Sequence, residues 1–256
     1  MNKVKIIEVN ESNVDEMGFF CNMSRRKSEG YQRKLKWLKK RFDEGLKIKM
    51  ILPPEGRGFI EYIPGEYAWR AVNAKGYMFI HCLWVVGKSK GKGLGKLLLT
   101  ECLKDAKKSK MLGVAMVTSE RPWLVEKSFL HKCGFEPVDK APPAFELMVK
   151  KFKDATSPSF AGDWDKKMKG YGQGFAIFRS DQCPYLDDAV KIVQEAARKL
   201  GIKSRVIELK SAQEVRKLAP SAYGVFSIVY KQKLLSYFYL TKNQLLKLLK
   251  REWAHT

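Results

Sequence analysis

With 256 residues, 45% of them apolar, the chain is long enough for two modest domains, each with its own hydrophobic core. No apolar run approaches the ~18 residues of a transmembrane helix, and the charged first residues do not resemble a secretory signal. The five cysteines are scattered at spacings that match no metal-ligand pattern. Composition therefore predicts a cytoplasmic protein with reduced thiols, no membrane partner and no metal site.

The net charge of +22 allows two interpretations. Basic clusters such as Arg25-Arg26-Lys27 are compatible with binding to nucleic-acid phosphates. Lysine and arginine are spread over the whole length, however, which is typical of a solvated basic surface. We favour the solvated surface and keep nucleic acid as a less favoured partner. Part of the positive field would also serve a phosphate-bearing cofactor.

Residues 1–76 carry short alternating apolar runs and amphipathic stretches. Pro53-Pro54-Glu55-Gly56 marks a turn between two of the alternating runs, and Gly45 ends a helical pattern. The predicted elements are a strand (4–9), a helix capped by Ser12 or Asn13, a second helix (31–44) and a hairpin of two strands (46–52 and 58–63).

Residues 77–86 form an unbroken apolar run that predicts a buried strand. Glycine and lysine then alternate through residues 87–96, and leucines recur at helical spacing from Leu94. Free N–H groups in the first turn of a helix attract anions, and glycines allow a phosphate to approach the backbone closely. The order strand, glycine loop, helix therefore predicts a phosphate-binding cradle.

Two common phosphate motifs do not fit this loop. A nucleotide P-loop needs four residues between its glycines and then Lys-Ser or Lys-Thr, but only three separate Gly91 from Gly95, and Leu97 follows Lys96. A dinucleotide fingerprint needs G-x-G-x-x-G, and here Leu98 stands where its last glycine would fall.

A third pattern fits. Lys90-x-x-Gly93-x-Gly95 resembles the Arg/Gln-x-x-Gly-x-Gly/Ala loop of the GCN5-related N-acetyltransferases (GNAT), with lysine at the first place. The segment FLHKCGF at 129–135 resembles the closing segment of the same enzymes. Between these two marks, residues 113–118 read as a buried strand, and Pro122 opens a predicted helix that ends at Gly134. The resemblance covers about residues 1–153 and implies an α/β (α+β) fold with a mixed central sheet.

The resemblance also implies where acetyl-CoA would bind. The backbone of the central strand would hold the pantetheine arm, and the loop amides would hold the diphosphate. The implied cofactor-binding residues are Leu83, Val85, Lys90, Gly91, Lys92, Gly93, Leu94, Gly95 and Lys96.

Acetyl transfer also needs groups that move protons. His81 on the central strand and Glu120 after the next strand are the candidate catalytic bases, although a histidine among apolar residues is more often a core group. The family's usual general-acid tyrosine is replaced here by Leu130, so the acid is unassigned.

Residues 154–172 are polar and aperiodic, which predicts a linker, and a new strand-helix-strand-helix-strand-strand-helix pattern occupies residues 173–256. This order resembles thioredoxin, and most closely the small C-terminal domain of YoaP-type acetyltransferases. Cys183 stands where the first cysteine of thioredoxin's Cys-x-x-Cys would be, but the second is absent. Cys183 is a candidate thiol site with an expected lowered pKa at a helix start; a cysteine without function in a docking module is the favoured alternative.

These observations predict an N-acetyltransferase that uses acetyl-CoA to acetylate a small amine or a protein lysine. The alternative is a catalytically weak acyl-CoA-binding regulatory protein, associated with nucleic acid through its basic surface.

Overall fold

The computed structural model describes residues 4–120 and 124–254, so the helix start predicted at Pro122 lies outside the described residues. Two sheets and a short two-stranded ribbon organise these described residues. The strands are β1 Ile7–Val9, β2 Lys47–Ile51, β3 Gly58–Pro64, β4 Val72–Asn73, β5 Met78–Val85, β6 Gly113–Ser119, β7 Glu136–Ala141, β8 Phe145–Lys151, β9 Ser159–Phe160, β10 Phe175–Arg179, β11 Ser204–Glu208, β12 Phe226–Tyr230 and β13 Lys233–Ser236. The α-helices are α1 Val14–Met17, α2 Glu29–Phe42, α3 Leu94–Lys108, α4 Lys127–Lys132, α5 Trp164–Lys169, α6 Leu186–Lys199, α7 Ala212–Leu218 and α8 Lys242–Ala254.

The large sheet is mixed, as predicted, with seven strands in the order β1-β2-β3-β5-β6-β8-β7. Only β5 and β6 run parallel; the other neighbours are antiparallel. Leu94, Leu98 and Leu99 of α3 pack with Leu130 of α4 on one face of this sheet. Helices α1 and α2 cover part of the opposite face.

The sequence of α2 explains where this helix begins and which of its sides is buried. Ser28 is its N-cap, and the side-chain oxygen accepts a hydrogen bond from the N–H of Tyr31. Tyr31, Trp37 and Leu38 lie on the buried side, while three basic residues occupy the last turn, where they complement the helix dipole.

The small-sheet unit, which we define as residues 175–254, has four strands in the order β11-β10-β12-β13. Strands β10 and β11 are parallel, and the other two pairs are antiparallel. Residues of α6 and α8 pack against β10 and β12 to form its core. Thr241 caps the last helix, because its Oγ1 accepts from the N–H of Gln244 at 3.3 Å.

The two sheets share a hydrophobic core. Ala176 and Phe178 of β10 belong to the same buried cluster as Trp37 and Trp69 of the large unit. The predicted linker at 154–172 contains two elements that its sequence does not indicate: β9, which pairs with β4, and the short helix α5. Its apolar residues, Phe160 among them, find buried partners that their aperiodic spacing does not reveal.

The contact between α2 and the small-sheet unit gives a stability prediction. A Cβ built on Gly30 would lie 2.1 Å from the carbonyl oxygen of Pro184, so Gly30→Ala must push the two units apart. We expect a loss of ~2 kcal/mol or more in unfolding free energy, although Ala in a helix interior normally gains about 1 kcal/mol over Gly. Urea denaturation of the full chain measures this.

Gly170→Ala is the matched control, because its Cβ would meet nothing closer than the carbonyl oxygen of Lys167 at 3.7 Å. A Gly30→Ala protein as stable as the wild type would contradict the close contact described here.

Candidate active site at the opened centre of the large sheet

The two parallel strands at the centre of the large sheet separate halfway along. Met78–Ile80 of β5 pair with residues 114–116 of β6, and no pairing follows. The register of β5 against β3 shifts between Glu61 and Tyr62, which leaves His81 as the extra residue of a β-bulge. Past His81, β5 is bonded only to β3, and a gap opens toward β6.

The backbone of β5 offers free groups to this gap. The N–H of Val86 donates to the carbonyl of Arg57 at 3.1 Å and so points toward β3. Backbone groups of successive strand residues point to opposite edges. Leu83 and Val85 therefore direct their N–H and C=O groups into the gap, at the place predicted for a pantetheine arm.

The predicted cradle follows directly. Gly91 and Gly93 have φ values of +75° and +76°, and nothing lies within 4 Å of a Cβ built on either residue. The first intrahelical bond of α3 runs from the N–H of Leu97 to the carbonyl of Gly93 at 3.0 Å. Within the described chain, no acceptor meets the N–H groups of residues 91–96. These amides form an open anion-binding site.

Neighbouring residues fix the cradle in place. Ser89 Oγ accepts from the N–H of Arg57 at 2.9 Å, and the Lys90 ammonium lies 5.8 Å from the centroid of the Trp84 ring. The ring of Phe129 lies 3.5 Å from a Cβ built on Gly95. Four exposed lysines surround the open amides and add positive charge: Lys88, Lys90, Lys92 and Lys96.

His81, one candidate base, lies in the core with 1% of its surface exposed. Its Nε2 accepts from the N–H of Trp69 at 2.9 Å, so Nδ1 carries the proton and donates to Glu61 Oε1 at 3.2 Å. Burial lowers the pKa of His81 to about 4, because desolvation outweighs the attraction of Glu61. His81 is therefore neutral at physiological pH, and both ring nitrogens are engaged.

Glu61 is the carboxylate at the centre of a buried network. Burial alone would raise its pKa, but the Lys34 ammonium at 2.6 Å and the His81 hydrogen bond hold the pKa at about 2. Arg70 donates to the carbonyl of His81 at 2.6 Å and to Gln182 Oε1. Gln182 Nε2 in turn donates to Glu61 Oε1 at 3.2 Å, so the network joins α2, β3, the bulge and the small-sheet unit.

The sequence reasoning missed this network, although one signal was available. Glu61 interrupts an apolar strand, and a charge at such a position needs a buried partner. Which residues supply the partners is not visible locally, because Lys34, Arg70 and Gln182 come from three other segments.

Three half-buried thiols lie beside the network: Cys21, Cys82 and Cys183. Burial raises the pKa of Cys82 to about 12, and burial together with the two neighbouring thiols raises that of Cys21. The expected lowered pKa of Cys183 is wrong: burial raises it, despite the N–H of Tyr185 and the charge of Lys34. Among the described residues, no cluster of His, Cys, Asp and Glu could hold a metal ion.

Glu120, the other candidate base, is exposed at the end of β6. Because β5 and β6 are parallel, their carboxyl ends lie at the same edge, so Glu120 is on the cradle side of the sheet. It lines a cleft of about 450 Å³ formed with β7, β8 and the start of α4. Leu130, at the position of the family's general-acid tyrosine, is fully buried in the core beneath α3. Its aliphatic side chain cannot donate a proton.

Two sequence comparisons identify relatives of this chain. A model of the acetyltransferase (GNAT) family matches residues 19–135. The "uncharacterized N-acetyltransferase YoaP" of Bacillus subtilis (strain 168) is 32% identical over 247 residues, which are 95% of this chain and 97% of the relative. No helix in the described ranges is long and apolar enough to cross a membrane.

Solved structures with weaker likeness include the PaiA N-acetyltransferase of Thermoplasma acidophilum in complex with coenzyme A, which is 20% identical with a TM-score of 0.42. That likeness covers 59% of this chain and 100% of the other. The ribosomal-protein-alanine N-acetyltransferase of Brucella melitensis is 15% identical, also with a TM-score of 0.42, over 58% of this chain and 99% of that one.

The assignment rests on the sequence matches, and above all on the Bacillus relative, because the two chains correspond over almost their whole lengths. The chain belongs to the acetyltransferase (GNAT) family.

Proposed function

We propose that the protein transfers the acetyl group of acetyl-CoA to the amine of an acceptor by direct attack. The observation that carries the proposal is the continuity of two unsatisfied backbone surfaces, the gap edge at Leu83 and Val85 and the open amides of residues 91–96. Backbone groups without protein partners bond to water or to a ligand, so these surfaces can bind a ligand that supplies acceptors and donors along this path. Acetyl-CoA, with a diphosphate and an amide-containing arm, has the matching chemistry.

In this arrangement the amides and lysines of residues 90–96 hold the diphosphate. The backbone of Leu83 and Val85 pairs with the pantetheine arm as a neighbouring strand would. The Val85 N–H is the donor that polarises the thioester carbonyl and stabilises its developing negative charge. The amine nitrogen bonds to the carbonyl carbon, the carbon–sulfur bond breaks, and the CoA thiolate leaves.

The amine must give up a proton in this reaction, and we assign its removal to Glu120. Glu120 is exposed and directly follows β6, at the end of the sheet where the gap opens. His81 does not suit this task, since a base is most effective with a pKa near the working pH, and its nitrogens are both bonded. We give His81 a structural role, which is to hold the bulge that opens the gap. The group that protonates the leaving thiolate is unassigned.

Of the two acceptor classes, a small amine is the better supported. The small-sheet unit packs on the same face of the large sheet as α1 and α2, and so covers the gap on that face. Two contacts show this: Arg70 of the large unit lies 5.0 Å from the ring of Tyr223, and Ser119 Oγ at the end of β6 lies 2.9 Å from Tyr237 Oη. A lysine on a folded protein would have to pass this cover, whereas a small amine need not.

The small-sheet unit itself is proposed to be thioredoxin-like. Its strand order β11-β10-β12-β13, with one parallel and two antiparallel pairs, and its helix α6 between β10 and β11 support this assignment. Cys183 precedes α6 at the position of a thioredoxin cysteine. Its raised pKa favours a docking role over a nucleophilic one.

The alternative, a weak acyl-CoA-binding regulator associated with nucleic acid, is not favoured. It requires that the cradle bind without catalysis, and no feature of the gap or the cradle calls for nucleic acid.

The cradle gives the first functional prediction. Gly93→Ala places a side chain in a left-handed conformation at the N-cap of α3 and disturbs the amides around it. We expect the Kd for acetyl-CoA to rise ~10-fold or more, measured by isothermal titration calorimetry at fixed ionic strength.

Gly172→Ala controls for backbone strain, because Gly172 has a φ of +73° and equally open surroundings but lies outside the cradle. If the Gly93→Ala protein and the wild type bound acetyl-CoA with equal affinity, the proposed position of the diphosphate would be contradicted.

His81 gives a prediction about pH. Its folded pKa is below its unfolded value, so the unfolded chain binds the extra proton first, and stability is lost as pH falls from about 6.5 toward 4. For the wild type, this group should remove about 2 kcal/mol of unfolding free energy between pH 7.5 and pH 5. His81→Gln should lack that part of the slope in urea titrations at the two pH values. A slope identical to that of the wild type would show that His81 titrates normally.

Glu120 gives a prediction about rate. If its carboxylate removes the amine proton, Glu120→Gln should lower kcat ~100-fold or more, with the affinity for acetyl-CoA unchanged. CoA release is followed with a panel of small amines. Glu126→Gln, an exposed carboxylate at the start of α4, is the control. A Glu120→Gln enzyme with the kcat of the wild type would exclude this role.

A further inference from the structure

The chain between α1 and α2 (residues 18–28, the α1–α2 connection) is an irregular segment beside the gap. Within the large unit, the Arg26 guanidinium donates to the carbonyls of Glu16 at 2.8 Å and Met17 at 3.0 Å. Phe20 stacks on Phe59 of β3, with ring centroids 4.8 Å apart. Phe59 is the β3 partner of Trp84, so the segment reaches the part of β5 that borders the gap.

The small-sheet unit holds the same segment from the other side. Tyr185 Oη accepts a hydrogen bond from the N–H of Asn22 at 3.2 Å. The Asp188 carboxylate lies 3.3 Å from the Arg25 guanidinium, an exposed pair of small energetic weight. The carbonyl of Pro184 lies so close to Gly30 that no side chain fits there. These contacts come from one stretch, the turn before α6 and its first residues.

The same turn also reaches the strand beneath the segment. Gln182 is 4% exposed and bridges the Glu61 carboxylate and the Arg70 guanidinium, both also buried. Arg70 in turn donates to the carbonyl of His81, the bulge residue at which the gap begins. Residues 182–185 therefore contact both the α1–α2 connection and the point where β5 leaves β6.

We propose that the turn at residues 182–185 of the small-sheet unit is part of the acceptor site, with Gln182 and Tyr185 as positioning residues. Gln182 fixes the mouth of the gap through Arg70 and Glu61, and Tyr185 fixes the α1–α2 connection through Asn22. The small-sheet unit then acts on amine binding and not on cofactor binding, because α3, whose first turn forms part of the cradle, packs on the opposite face of the large sheet. This inference rests on the proposed acetyl transfer.

The first test is backbone hydrogen exchange by mass spectrometry on the full chain, without ligand. Tyr185→Phe removes only the hydroxyl that accepts from Asn22, so exchange in peptides covering residues 18–28 should quicken about fivefold. Gln182→Ala should quicken it more, and peptides covering residues 88–97 should not change. Lys199→Ala, which breaks an exposed ion pair with Glu195 on α6, is the control and should alter neither region.

The second test separates positioning from a general loss of stability. With any amine that releases CoA, both variants should raise the KM for the amine ~10-fold or more and leave the KM for acetyl-CoA within about twofold. Gln182→Ala removes a buried hydrogen-bond partner of Arg70. If that variant does not fold, the same measurements on Tyr185→Phe decide the question.

Unchanged exchange at residues 18–28 in the folded variants, or equal rises in both KM values, would overturn the proposal. Failure of the proposed acetyl transfer would show separately, as an absence of acetyl-CoA binding by the wild type. The exchange measurement does not depend on turnover, so it decides the structural part for any acceptor.

Discussion

A strand edge without a partner in the middle of a sheet is the constraint on which this structure depends. Past the bulge at His81, β5 keeps its bonds to β3 and loses those to β6, so Leu83 and Val85 face the gap with unsatisfied groups. Such groups are expensive unless water or a ligand meets them. The strand leads directly into the glycine loop, so the two unsatisfied surfaces make one path for an elongated ligand that ends in phosphate.

Keeping that edge open requires support from the other face of the sheet. The bulge is held by a buried network in which one carboxylate, Glu61, is shared by Lys34, His81 and Gln182. Removal of one partner from a buried charge strongly lowers the stability of the fold. Since one partner belongs to the small-sheet unit, the two sheets are tied together at the point that shapes the gap, and the shared core around Trp37 and Phe178 adds to this connection.

The sequence was sufficient for features that depend on neighbours along the chain. The central strand, the glycine loop and the helix from Leu94 were predicted in place, because periodicity and glycine spacing are local signals. The elements of the small-sheet unit follow one another along the chain in the predicted order. The family was likewise identified from the loop and the closing segment.

Features that depend on burial by distant segments were not predictable. His81 was a candidate base because an unperturbed imidazole titrates near neutral pH, but Trp69 and Glu61 enclose it and lower its pKa. Cys183 was expected to ionise readily at a helix start, but its surroundings raise its pKa. The 154–172 segment has no periodicity, and its order comes from pairing of β9 with β4.

A crystal structure with acetyl-CoA tests the central claim most directly. The account predicts diphosphate oxygens within about 2.7–3.2 Å of backbone N–H groups of residues 91–96, and the pantetheine arm bonded to Leu83 and Val85. A cofactor bound elsewhere on the chain, with the cradle amides in water, would contradict it.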